Sequence, residues 1–317
     1  MKKTVLIIAV LCMVSFCPTA FAAPHMYIIG TGGMSGGYYP MGGALSQIWN
    51  NKNKDLLNVT VQATGGTVEN IKLLETGDVE LGIVQSDLIE FASKGMEMFN
   101  TEYVMGRTMF RLYPEVITVA VRGSVAGVNT FKDLVGKRVS FGAAGSGSEA
   151  SSRLILEALG LSYKDFDARF VTNTEAIAQM RDNLIDAMLL TASIPHAGFL
   201  DVTTTQEVKI LPIDEEARVK LHDKYPFLVP MDLPAGTYKG QPNPVATLAV
   251  EAQLICRADI PEDVVYEMVK SIWENHEELV QANIRAAYME RDDPLKGSAI
   301  DPHPGALKYY KEKGMVK

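Results

Sequence analysis

Val139-Ser-Phe-Gly-Ala-Ala-Gly145-Ser-Gly-Ser-Glu149-Ala-Ser-Ser-Arg-Leu-Ile-Leu-Glu-Ala-Leu-Gly160 sets the pattern for the whole chain. A short apolar strand runs into a loop of small residues. Apolar residues at helical spacing follow (Leu154, Ile155, Ala158, Leu159) before a glycine stop. Ser146 and Glu149 stand three apart, so Ser146 is expected to cap the helix and Glu149 to close a capping box. The loop has almost no side chains, which lets a ligand approach the backbone. Its free N–H groups and the positive end of the helix dipole suit a carboxylate or phosphate. Gly145-x-Gly147-x-x-Ala150 also fits the dinucleotide fingerprint, but the strand that follows, Ala168 to Thr172, ends in Asn173 rather than in an acid for the ribose. No cofactor is therefore expected, and a tight strand-to-helix turn without a ligand stays open as the plain alternative.

The same logic recurs towards the N-terminus. Tyr27 to Gly30 reads as a strand, and Thr31-Gly-Gly-Met-Ser-Gly-Gly37 leads into Tyr38-Tyr39-Pro40 and a helix with Leu45, Ile48 and Trp49 on one face. Val59 to Ala63 alternates as a strand, Thr64-Gly-Gly-Thr67 turns, and a helix runs from Val68 to Thr76 before Gly77. Asp78 to Val84 is a strand ending in Gln85-Ser86-Asp87, with Ser86 expected to cap a helix from Leu88 to Lys94. Thr172-Asn-Thr174-Glu175 introduces a further helix. Polar or bare strand ends at four places predict an α/β fold whose ligand sits at the carboxyl ends of its strands.

Leu112 to Arg122 and Val245 to Arg257 are longer strand-like runs that bracket the middle of the chain. They read as two hinge-strand crossings between two lobes, lobe I from residues 23–118 plus 250–317 and lobe II from residues 119–249. Val208 to Ile213 is one more strand and Asp214 to His222 a short helix. The Pro- and Gly-rich stretch Tyr225 to Pro244 is expected to be an ordered loop. After Pro261 a helix carries Val265, Met268, Val269, Ile272 and Trp273 on one face, and the tail is expected to pack back on lobe I.

Met1-Lys-Lys3, the apolar run to Phe16 and Ala20-Phe-Ala22 form an export signal, with cleavage expected after Ala22 and the periplasm as destination. Of three cysteines, Cys12 and Cys17 leave with it, so Cys256 stays alone, expected buried and inert. The formal net charge of −8 becomes more negative without Lys2 and Lys3, which makes nucleic acid an unsuitable partner. Catalytic equipment is hard to find. The five histidines show no zinc spacing, and no G-x-S-x-G elbow is present. His196, just past the strand end at Thr191, is a candidate cleft contact, although an ordinary loop histidine is the simpler reading. The chain is not expected to be an enzyme.

Several of these motifs in this order, Gly30-Thr-Gly-Gly33 with Tyr38-Tyr39-Pro40, Thr64-Gly-Gly-Thr-Val-Glu-Asn70, Leu81-Gly-Ile-Val-Gln-Ser-Asp87, Gly145-Ser-Gly-Ser-Glu149, Pro234-Ala-Gly-Thr-Tyr238 and His303-Pro-Gly305, closely resemble the TAXI family. These are extracytoplasmic solute receptors of tripartite ATP-independent periplasmic (TRAP) transporters. The resemblance covers essentially the whole mature chain. It implies a two-lobed periplasmic-binding-protein-like (type II) fold that closes on a small organic anion and delivers it to integral-membrane TRAP permease subunits. Implied solutes are C4 to C5 dicarboxylates such as 2-oxoglutarate, or glutamate. Carried over by motif, Tyr38, Thr64, Gly66, Thr67, Gln85, Ser146, Gly147 and Ser148 are expected at the site. Gly36, Ser86, Gly145 and Ser193 complete the candidate set. The hydroxyls of Thr67, Ser146 and Ser148 and the Gln85 amide are expected to orient the solute. Ala192-Ser193-Ile194-Pro195-His196 departs from the glycine-richer pattern of relatives. A monomer is expected. The rival readings are an ABC-type receptor for an amino acid or sulfonate and an exported cofactor-binding enzyme.

Overall fold

The computed structural model describes residues 25–34 and 36–316. The export signal and its cleavage site lie outside them. The N-terminal elements are β1 (His25–Gly30), α1 (Tyr38–Lys52), β2 (Leu57–Gln62), α2 (Thr67–Thr76), β3 (Leu81–Gln85), α3 (Ser86–Ser93) and the long β4 (Gly106–Arg122). The middle of the chain adds β5 (Arg138–Ser140), α4 (Gly147–Ala158), β6 (Asp167–Arg169), α5 (Asn173–Arg181), β7 (Ala187–Ala192), α6 (Ala197–Thr205), β8 (Val208–Leu211), α7 (Glu215–Lys224) and β9 (Val229–Leu233). The chain then returns through β10 (Val245–Arg257) to α8 (Glu262–Glu274), α9 (His276–Ala282) and α10 (Pro304–Glu312).

The sheet order is β2-β1-β3-β10-β4-β7-β5-β6, with β8 on β4 and β9 on β10. Strands β1 to β3 run parallel in one half, and β5 to β7 run parallel in the other. Strand β4, with 17 residues, and β10, with 13, lie antiparallel between them. At about 3.3 Å per residue each is roughly 40 to 55 Å long, enough to serve both halves. Strand β4 pairs with β10 up to Val116 and with β7 from Val116 onward. Register shifts opposite Ala252/Gln253 and Leu254/Ile255 leave Leu112 and Met109 as extra residues, so the bulges in this ladder lie on β4. The result is a two-lobed α/β fold with two strand crossings.

Apolar periodicity explains which faces are buried. In α8, Val265, Met268, Val269, Ile272 and Trp273 are all enclosed, packed with Trp49 of α1 and Tyr309 and Tyr310 of α10. Two polar tips of this cluster are satisfied: Trp49 Nε1 donates to Met268 O at 2.8 Å and Tyr310 OH to Met109 O at 2.6 Å. The tail thus packs back on α8 and β4, entered through Pro304 and the His303 cap, which accepts from Gly305 N at 3.2 Å. A second core runs from α2 and α3 across β4 to β5 and α4. On it Phe91 of α3 meets Phe227 edge-on, at 5.6 Å between centroids.

Three local expectations need correction. Ser86 begins α3 but does not cap it; its Oγ accepts from Glu251 N at 3.0 Å, tying α3 to the crossing strand β10. Glu149 does not close a box on Ser146. Its carboxylate accepts from Tyr163 OH at 2.7 Å instead. The stretch Tyr225 to Pro244 is not wholly loop, because it contains β9, paired with β10. Pro230 is tolerated there because β9 is an edge strand, where a missing N–H breaks no further ladder.

Candidate functional site

A cavity of about 370 Å³ opens between the two halves of the sheet, at the carboxyl ends of the strands. The turns that follow β1, β2, β5, β6 and β7 reach it, as does the last residue of β3. Gly36, Gly37 and Tyr38 bring the start of α1, and Thr64, Gly66 and Thr67 bring the start of α2. Gln85 comes from the end of β3. From the opposite side Ser146, Gly147 and Ser148 bring the start of α4, Thr172 and Asn173 that of α5, and Ser193 and His196 the turn into α6. The first turn of any helix leaves N–H groups without intrahelical acceptors, so several positive dipole ends face one volume. No lysine or arginine lines it.

Most of the expected orienting hydroxyls are engaged in building this framework. Thr64 Oγ1 donates to Asn70 Oδ1 at 2.7 Å and accepts from Gly66 N at 3.1 Å, which holds the glycine turn whose Gly66 has φ 106°. Only a residue without Cβ adopts that angle readily. Thr67 Oγ1 accepts from Gln85 N at 3.1 Å, fixing α2 to the end of β3. Ser146 Oγ caps Glu149 N at 3.2 Å. Ser148 Oγ accepts from Thr191 N at 3.0 Å and lies 3.0 Å from Asn173 Oδ1, locking α4, α5 and β7 together. Ser193 Oγ accepts from Arg285 Nε at 2.6 Å. These hydroxyls therefore brace the strand ends and helix starts that frame the cavity.

Of the twelve sequence-predicted residues, ten line the cavity. Ser86 and Gly145 do not: Ser86 is fully enclosed behind it, and Gly145 supplies a left-handed turn, φ 75°, ahead of the Ser146 cap. Gly147 has a sharper requirement. A Cβ there would fall 1.1 Å from Gln85 Oε1, so the carboxamide from one half lies directly over the glycine of the other.

Sequence reasoning missed Glu115, which lines the cavity from β4 where that strand meets β10. The visible signal was one acid inside the otherwise apolar run Leu112 to Val121. Its Oε2 accepts from Tyr38 OH at 2.7 Å. Burial pushes the carboxyl from its ordinary 4.5 up to about 8, with Asp87 and Glu251 adding repulsion, while the Tyr38 hydrogen bond and Arg285 oppose the rise. Burial likewise pushes Asp87 up to about 7. His196 is held below its usual value by burial and by Arg285, so it is neutral at neutral pH. Thr191 Oγ1 and Tyr113 OH are buried without a hydrogen-bond partner, the former on the cavity wall.

Because the folded state keeps a proton on Glu115 that the unfolded chain releases above about pH 4.5, stability is full below that pH and falls as pH rises towards 8. Glu115→Gln is expected to leave melting unchanged near pH 4 and to stabilise the ligand-free protein on the order of 3 kcal/mol above pH 8. Thermal melts across that range check it; a constant offset at all pH values would refute the assignment.

Among the described residues no group of three or more His, Cys, Asp or Glu could hold a metal ion, and no helix is long and apolar enough to cross a membrane. The model of the NMT1-like family matches residues 29–314. The fold is similar to that of a TctC solute binding protein from Polaromonas, with 16% identity, 94% of this chain and 100% of that one covered, and a TM-score of 0.54. It is also similar to a protein of Bordetella bronchiseptica RB50, with 15% identity, coverage of 92% and 89%, and a TM-score of 0.51. A putative L-cystine ABC transporter from Listeria monocytogenes matches at 14% identity, with coverage of 83% and 97% and a TM-score of 0.50. At these identities the likeness is one of fold: a two-lobed periplasmic-binding-protein-like architecture of type II.

Proposed function

The chain belongs to the NMT1-like family, and from that footing we propose that it is an extracytoplasmic receptor. In this reading it captures a small organic carboxylate between its lobes and hands it to a membrane transporter. The observation that carries the proposal is the convergence of helix starts from both halves on one cavity without a lysine or arginine in its lining. Such a site holds an anion by oriented N–H groups and helix dipoles. Each charge-assisted hydrogen bond contributes about 1.5 to 3 kcal/mol, and a few suffice for micromolar binding after the cost of closure. Closure follows because the solute touches both lobes only when they are shut.

The finer reading is a C4 to C5 dicarboxylate such as 2-oxoglutarate, or glutamate, delivered to a TRAP permease. It rests on the motif resemblance to TAXI receptors. An ABC-type amino-acid receptor is the second reading, favoured by the fold likeness to the Listeria protein described as a putative L-cystine ABC transporter. The genes beside this one separate the two, since TRAP membrane subunits and an ABC ATPase are unmistakable. For the receptor function itself, a thermal-shift screen of organic acids and amino acids is the test. A solute present at a hundred times its Kd stabilises by about 2.7 kcal/mol, which moves the melting point by several degrees. No shift with any carboxylate overturns the proposal.

A further inference from the structure

We propose that Glu115 is the partner of a positively charged nitrogen on the solute, so that the cavity selects an α-amino acid over the matching 2-oxo acid. The inference rests on the receptor reading above and names the solute class for that site. Glu115 lines the cavity where the crossing strands meet, while the helix starts occupy the surrounding walls. A zwitterion has this separation of charge: its carboxylate faces the N–H groups and its ammonium faces the carboxyl.

The groups around Glu115 are mixed in sign, with the acids the more numerous. Tyr38 of α1 donates to Oε2 at 2.7 Å and leaves the rest of the carboxyl for another donor. Asp87 of α3 and Glu251 of β10 add negative potential. Arg111 neutralises Glu251 at 2.7 Å. On β4 itself, Tyr113 has a buried hydroxyl without a partner. Its oxygen and Ser193 Oγ both lie 2.9 Å from where a Gly37 Cβ would stand. Arg285 opposes them with a positive charge, stands outside the cavity lining and is held on Ser193 Oγ. His196, the other titratable side chain of the lining besides Tyr38, is neutral. A doubly anionic solute therefore meets a buried carboxyl with no basic side chain in the lining, whereas an ammonium supplies the missing countercharge.

Burial keeps Glu115 largely protonated at pH 7, so an incoming ammonium displaces its proton into solvent. Isothermal titration of the mature protein at pH 7, in phosphate and in Tris, reads this release directly. The probes are L-glutamate with 2-oxoglutarate and L-alanine with pyruvate. The expected result is that an amino acid binds at least tenfold more tightly than its 2-oxo partner, with release of about one proton. Glu115→Gln is expected to lose both the preference and the proton release. Equal or tighter binding of the 2-oxo acid, or a preference that survives Glu115→Gln, overturns the inference and leaves the receptor reading standing. Should Glu115→Gln not fold, the wild-type proton count decides by itself: amino-acid binding without proton release overturns the inference. Binding by neither series overturns the inference, and the receptor reading falls with it only if the full screen of organic acids and amino acids also shows no shift.

Discussion

Exchanging Arg111 for leucine is expected to lower folding stability by about 3 to 5 kcal/mol, one of the largest losses available to a single surface-remote substitution in this chain. Arg111 stands on β4 and is 4% exposed, with Nε 2.7 Å from Glu251 Oε2 and Nη2 3.2 Å from Oε1. Glu251 stands on β10 and is equally enclosed. Burial raises the pKa of its carboxyl despite the two bonds from Arg111, so the pair sits where removal from water outweighs mutual attraction. Taking away only the guanidinium leaves a buried carboxyl without its partner. Removing both charges, with Arg111→Leu and Glu251→Leu together, is expected to recover most of the loss. Urea unfolding followed by circular dichroism measures both. If the double variant is as unstable as the single one, the lost bonds from Arg111 to Tyr288 O and Glu290 matter more than the orphaned carboxyl.

The second large effect concerns solute capture. Gly147→Ala places a methyl group 1.1 Å from Gln85 Oε1, a separation that no packing adjustment at the glycine absorbs. The carboxamide is the far end of a flexible side chain, so it swings aside and the fold survives. Its new position intrudes on the cavity or props the two halves apart. Solute affinity is expected to fall at least tenfold, about 1.4 kcal/mol or more, with a much smaller change in melting temperature. Gly43→Ala, on α1 outside the cavity lining, is the matched control, since a Cβ there meets nothing within 4 Å. Adding Gln85→Ala to Gly147→Ala makes room again and is expected to return part of the affinity. Titration calorimetry with the tightest solute from the screen reads all three. Unchanged affinity in Gly147→Ala means that the cavity does not need Gln85 where it lies.

The features legible in the sequence were those written in short stretches. The turn from β5 into α4, the glycine loops before α1 and α2 and the Thr172–Glu175 box on α5 each depend on residues a few positions apart. Backbone geometry and hydrophobic spacing suffice for them. Choices made across the fold were not legible. Ser86 looks like a helix cap until Glu251, 165 residues away, brings it an N–H donor. Glu149 fits a box until Tyr163 takes its carboxylate, and the Ser148 hydroxyl looks free until β7 and α5 arrive beside it. In each case a long-range partner competes with a local one and wins because burial makes an unmet polar atom costly. Glu115 was hidden differently. An acid in an apolar strand reads as an edge or an error until pairing with β10 puts it on the cavity floor.

Cys256 lies in β10 between β3 and β4, fully enclosed, and burial raises its thiol pKa. It is the one cysteine among the described residues and is expected to be silent towards maleimide dyes while the protein is folded. A protein produced without its first 22 residues is thus expected to be a blank background for site-directed fluorophores. A dye on Gly33→Cys, at an open position on the cavity rim, becomes an optical gauge of shutting without any cysteine having to be engineered away first.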